Sequence, residues 1–322
     1  MNDWQVIGHD WAVRRLARSI QADQIAQSHL FTGPPSVGKA TLARAFCGAA
    51  LQLGARDPAR ARALVDANRH PDLTWLEPQE GSIKIDAARE LLHSLNLAPL
   101  EGRFRAAVVA DAHLLTDAGQ NAILKTLEEP GLSVIIILLA PGLDGMLPTI
   151  VSRCQVLNLR PVRTADIEQA LLARGVDPGR AGLAARLSRG RPGWALRAVA
   201  DGDLLAARRQ RLDDLLALLP ATRTRRLAYA EALAKEEPDD IASALEYWQL
   251  FWRDVADAGG RGSGAGRALN ADYAEAVADL AGRLPRDAAA RAMRGISAAL
   301  SAMQRNANAR LALEVLLLQL PR

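Results

Sequence analysis

Gly33-Pro34-Pro35-Ser36-Val37-Gly38-Lys39-Ala40-Thr41 is the stretch on which the fold turns. It follows a short apolar segment, 29–32, and opens a run of helix-forming residues, 38–53. The spacing GxxxxGK between a strand and a helix is that of a phosphate-binding loop. Glycines let the backbone curl around phosphates, successive N–H groups and the helix N-terminus supply positive field, and Lys39 adds a full charge. Gly33, Gly38, Lys39 and Thr41 are the candidate phosphate contacts. The residue after the lysine is normally a Ser or Thr whose hydroxyl holds Mg²⁺; here it is Ala40. Thr41 stands one residue on, about 100° around the helix, which turns its hydroxyl away from a metal. Two readings stay open: a relic that keeps its shape without nucleotide, and a passive site that binds ATP or ADP without hydrolysing it.

Working outward, apolar segments at 72–77, 105–110, 134–140 and 155–159 read as further buried strands, most of them ended by Gly, Pro or Asp. Helical segments at 38–53, 85–95 and 118–127 fall between them. This alternation predicts an α/β domain over 1–160, a parallel sheet with helices on both faces. After Pro161 the strand pattern stops. Residues 161–207 read as a small helical lid, with short helices broken at Gly175, Pro178 and 189–193. Residues 208–322 read as an all-helical domain, interrupted by a low-complexity loop at 259–266.

Bulk properties narrow the classes. The 322 residues carry 40 basic and 36 acidic side chains, a net charge of +4 that permits contact with nucleic acid without demanding it. Cys47 and Cys154, the chain's two cysteines, exclude a disulfide framework or a four-cysteine zinc site within it. The longest apolar run, 134–140, is too short to span a bilayer. The first residues lack a signal-peptide pattern, so a cytoplasmic location is expected and no membrane partner.

The strand at 105–110 ends in a single acid, Asp111. Hydrolytic sites of this kind place an Asp for the metal and a Glu for the attacking water at that strand end. Aligned on His113, the metal Asp position is Ala110 and Asp111 takes the place of the Glu. Losing both metal supports, at Ala40 and Ala110, argues that hydrolysis has been abandoned. Asp111 also reads simply as a capping acid at a strand end.

Asn121-Ala-Ile-Leu-Lys-Thr-Leu-Glu-Glu-Pro130, Ser152-Arg153-Cys154 and Asn306-Ala-Asn308-Ala-Arg-Leu-Ala-Leu-Glu314, with Ile7-Gly-His9 and Ser28-His-Leu-Phe31, resemble the characteristic stretches of bacterial DNA polymerase III clamp-loader subunits, which are AAA+ proteins. The resemblance runs from about residue 4 to 320. Ala40, Ala110, the apolar Leu139-Ala140-Pro141-Gly142 where a polar sensor residue is expected, and Gly193 where a second sensor arginine is expected (with Arg191 and Arg197 nearby) select the delta-prime branch of that family. No zinc-binding cysteine cluster follows Cys47, so zinc is not expected and no cofactor is required. The resemblance implies a subunit that works with gamma/tau and delta subunits, the sliding clamp and primed DNA. It also implies that 161–207 is the family's lid and 208–322 its collar. Arg153 is then an arginine finger acting in trans on a neighbour's ATP; the alternative is an intramolecular salt bridge. Arg103, Arg105 and Lys125 are further candidates for DNA phosphate contacts. The rival reading is an active ATPase of the gamma/tau type.

Overall fold

The computed structural model describes residues 4–79, 81–259, 268–285, 287–305 and 307–321. The loop expected at 259–266 lies, apart from Gly259, outside the described residues, as does Asn306. Chain contacts divide the protein into two compact units: 1–175 with 188–195, and 176–187 with 196–322.

The first unit opens with α1 (Asp10–Gln21), β1 (Ser28–Thr32), α2 (Lys39–Leu51) and α3 (Pro58–Asp66). Then come β2 (Leu73–Leu76), α4 (Ile85–Leu95), β3 (Arg105–Val109), α5 (Asp117–Glu128), β4 (Val134–Ala140), α6 (Pro148–Val151), β5 (Gln155–Asn158) and α7 (Thr164–Leu172). All four strand pairings are parallel, in the order β2-β3-β4-β1-β5. The expected α/β architecture is present, and each expected strand is found within a residue or so of its ends.

The alternation of side chains along a strand explains why both sheet faces are covered. In β4, Ile135, Ile137 and Leu139 pack with Phe31, Leu16, Leu42 and Phe46 on the face carrying α1 and α2. Val134, Ile136, Leu138 and Ala140 pack with Leu91, Leu95, Ile123 and Leu127 on the face carrying α4 and α5. A seven-residue strand of unbroken apolar residues is thus satisfied only at the centre of such a layer. The helix α3 occupies the stretch where a zinc module had no cysteines to build on; Asp57 caps it, accepting from the Arg60 N–H at 2.9 Å.

The chain continues through α8 (Pro178–Leu187) and α9 (Pro192–Ala200). Then follow α10 (Gly202–Leu218), α11 (Arg223–Leu233), α12 (Pro238–Ala258), α13 (Ala274–Arg283), α14 (Ala288–Gln304) and α15 (Ala309–Gln319). α10 runs without a break across residues 207 and 208. The second unit has its own core, centred on Leu212, Trp248, Phe251, Trp252 and Ile296. On α15, Leu313, Leu316 and Leu317 are buried, while Leu311, Val315 and Leu318 form an exposed apolar row at helical spacing. No helix is long and apolar enough to cross a membrane among the described residues.

Candidate functional site: the phosphate loop and Arg153

The loop between β1 and α2 has the backbone its glycines permit. Gly33 has φ +144°, and a Cβ there would meet the Leu159 carbonyl oxygen at 2.3 Å, so only glycine fits. Gly38 has φ +116° and caps α2. Three of the four candidate phosphate contacts, Gly33, Gly38 and Lys39, are therefore brought together at the mouth of a helix. Thr41 lies exposed on the first turn of α2, around the helix from the equally exposed Ala40.

Lys39 is turned onto its own loop. Its Nζ donates to the carbonyls of Gly33 at 2.6 Å and Pro34 at 3.1 Å. Burial lowers the pKa of the ammonium, and the charge of Asp111 opposes that shift. Asp111 itself adopts a left-handed conformation (φ 47°) before the short turn Ala112–Leu114 and makes no side-chain cap hydrogen bond. The capping reading of Asp111 thus fails, and its charge instead acts on Lys39.

Two supports of the loop were not legible as such. His9 is buried and its Nε2 lies 3.0 Å from the Val37 carbonyl; burial depresses its pKa, so the ring is neutral at pH 7. The backbone N–H of Gly193, at the start of α9, donates to the Ser36 carbonyl at 2.9 Å. A Cβ at Gly193 would stand 3.0 Å from that same oxygen. At this position glycine serves close backbone approach, with no side chain to reach a phosphate. Arg191, one of the two neighbouring arginines, spends its Nε on the Ser188 carbonyl at 2.9 Å.

Arg153 belongs to a different cluster. It follows α6, and its Nη1 donates to the Thr149 carbonyl at 2.9 Å. Its Nη2 donates to Glu128 Oε1 at 2.5 Å, at the end of α5. The intramolecular pair is therefore real in the free chain, and it leaves the side chain one-third exposed. Gln120, buried on α5, fixes the loop that leads to α6: its Nε2 donates to the Gly145 carbonyl at 2.9 Å and its Oε1 accepts from the Leu147 N–H at 2.8 Å. Nothing in the sequence distinguished Gln120 from a surface glutamine.

The other candidates divide. Arg105 is buried, donating to the carbonyls of Ala98 and Ser94 at 3.1 and 3.0 Å and lying 3.4 Å from Asp72. It is a structural cation, and the expectation that it reaches DNA is corrected. Arg103 pairs with Asp23 at 2.5 Å. Cys47 is fully buried and its thiol is pushed up to about 12 by that burial; Cys154 is half-buried and pushed up to about 11 for the same reason. Among the described residues no three His, Cys, Asp or Glu side chains gather as a metal site.

The family described as "DNA polymerase III, delta subunit" matches residues 8–163. The DNA polymerase III subunit delta-prime of Bacillus subtilis (strain 168) is 30% identical over 180 residues, 55% of this chain and 55% of that one. Subunit delta-prime of Escherichia coli (strain K12) is 33% identical over 225 residues, 69% of this chain and 64% of that one. Subunit tau of Escherichia coli (strain K12) is 30% identical over 172 residues, 51% of this chain and 26% of that one. The chain thus spans less than two thirds of the length of each of these relatives. Over the sequence it shares with them, the chain is similar to the delta-prime subunits of DNA polymerase III.

Proposed function

We propose that this chain is a non-hydrolysing subunit of a DNA polymerase III clamp loader in the cytoplasm, helping to place a sliding clamp on primed DNA. In this reading it assembles with delta and with gamma/tau ATPase subunits, using 1–160 as the AAA+ domain, 161–207 as the lid and 208–322 as the collar. The exposed row Leu311, Val315 and Leu318 is then available to neighbouring subunits. Arg153 is presented to ATP held by a neighbour. A guanidinium fixed beside a transferring phosphoryl group stabilises transition-state charge and is worth ~10³–10⁵ in rate.

The observation that carries the reading is the condition of the chain's own loop. Lys39 donates to loop carbonyls, and alanines stand at positions 40 and 110, where hydrolysis needs metal supports. The retained glycine conformations and helix N-terminus favour a second reading of the same loop, passive binding of ATP or ADP.

The test is ATP turnover by the purified chain alone, then mixed with gamma/tau and delta subunits. No turnover alone, and turnover that rises on mixing and falls with Arg153→Ala while assembly persists, is the expected result. Robust turnover alone, or a mixed rate indifferent to Arg153→Ala, overturns it. Nucleotide binding without turnover selects the passive site.

A further inference from the structure

The outer face of α1 exposes Trp11, Arg14, Arg15 and Arg18 together. At about 100° per residue these four side chains fall within an arc of about 100°. The opposite face, with Ala12, Leu16 and Ala17, is buried in the core of the first unit. The helix is therefore held by its apolar side, and its basic aromatic side is free for another purpose. Next to it, Asn158 and Arg160 extend from the end of the edge strand β5, both exposed. A cleft of about 450 Å³ lies between the two elements, lined by Trp11, Arg15, Asn158 and Arg160.

Two properties coincide on this face. Seven of the thirteen other arginines of the same unit, at 60, 62, 89, 103, 105, 153 and 163, lie within ion-pair distance of carboxylates. Arg14, Arg15, Arg18 and Arg160 have no such carboxylate among the described residues, and Asp10, the one acid of α1, sits at the edge of the arc. Trp11, in addition, keeps 43% of its surface in water. An indole left open amid uncompensated guanidinium groups is the pairing that single-stranded nucleic acids use: a π face for a base, and cations for the phosphates on either side.

We propose that this face binds single-stranded nucleic acid, with a base stacked on Trp11 near the cleft and phosphates held by Arg14, Arg15, Arg18 and Arg160. A duplex does not suit the site, because its bases are already stacked on one another. An acidic peptide would satisfy the arginines but offers the indole nothing. The site uses neither the loop 33–41 nor Arg153, so it stands or falls separately from the clamp-loader reading.

The experiment is fluorescence anisotropy with the full chain and labelled dT20, rU20, an abasic 20-mer and oligoglutamate, across a salt series. Base stacking of ~1–3 kcal/mol predicts that Trp11→Ala weakens dT20 binding roughly 5- to 150-fold, with Trp11→Phe close to the parent protein. Because Trp11 lies outside the core, the urea midpoint of Trp11→Ala is expected to match that of the parent chain. The combined Arg14→Ala, Arg15→Ala and Arg18→Ala variant is expected to flatten the plot of log affinity against log salt by about 2. The ratio of dT20 to rU20 affinity identifies DNA or RNA as the source of the strand. An abasic strand bound as tightly as dT20, or Trp11→Ala binding like the parent protein, overturns the proposal; oligoglutamate bound as tightly as dT20 also overturns it, in favour of an acidic protein partner.

Discussion

At the scale of single residues, Arg153 and Glu128 form an ion pair. The pair is partly exposed, side chains 33% and 48% accessible, so it contributes no more than about 1 kcal/mol to stability. Its effect is instead on the guanidinium that we propose acts in trans: a carboxylate at 2.5 Å cancels charge that a neighbour's phosphate would otherwise feel. Removing that charge while keeping the side chain's shape should release Arg153, which the Thr149 carbonyl still orients. Glu128→Gln is therefore expected to leave the urea midpoint unchanged and to raise ATP turnover of the mixed complex by up to about fivefold. An unchanged or lower rate counts against a latch. The sequence allowed a finger or an internal salt bridge at this arginine. It could not pair Arg153 with Glu128, because 25 residues separate them and only the packing of α6 beside α5 brings their ends together.

At the scale of elements, helix ends decide how the second unit closes. Arg226 on α11 is 1% exposed. It donates to the carbonyls of Leu218 and Leu219, at and just beyond the end of α10, at 3.0 and 2.7 Å. It also donates to those of Leu317, Leu320 and Pro321, at the end of α15, at 2.8, 2.8 and 3.1 Å. Helix C-termini leave carbonyls without intrahelical donors and concentrate partial negative charge, so one guanidinium here satisfies two ends at once. Arg226→Met fills similar space and strands those carbonyls. It is expected to cost at least about 3 kcal/mol, read as a lowered urea midpoint, with Arg226→Lys intermediate. A loss below 1 kcal/mol would mean that water replaces the guanidinium. The helical character of α10, α11 and α15 was plain from composition. That one arginine among forty basic residues ties three of them is a property of the packed bundle.

For the whole molecule, buried histidines contribute to the loss of stability in acid. His29 lies in β1 between Phe31 and Phe46, with ring centroids 5.9 and 5.0 Å away, and burial lowers its pKa from 6.5 to about 4. Burial lowers His9 and His70 as well. The sign follows from linkage: the unfolded chain takes up protons near pH 6.5 and the folded chain resists until about pH 4, so stability falls as pH falls through that window. For His29 the loss is about 2 kcal/mol by pH 5 and about 3 kcal/mol once both states are protonated. Urea midpoints are expected to drop between pH 7 and pH 5, and less steeply in His29→Phe, which retains the aromatic packing. Equal slopes in the two proteins would remove His29 from the account.

The sequence alone determined the parallel α/β domain and the end positions of most of its strands, because buried strands between helices need uninterrupted apolar runs and the phosphate loop needs glycines at 33 and 38. It also determined that Ala40 and Ala110 cannot hold a metal, since that follows from side-chain chemistry at fixed spacing. Only the tertiary structure decided what the charged residues do. It buried Arg105 against carbonyls, turned Lys39 onto its own loop, set Glu128 on Arg153, and left Trp11 and its arginines uncovered. Local sequence carries periodicity and backbone permission, whereas the partner of a charge is chosen by whichever element, often dozens of residues away, the fold brings alongside it.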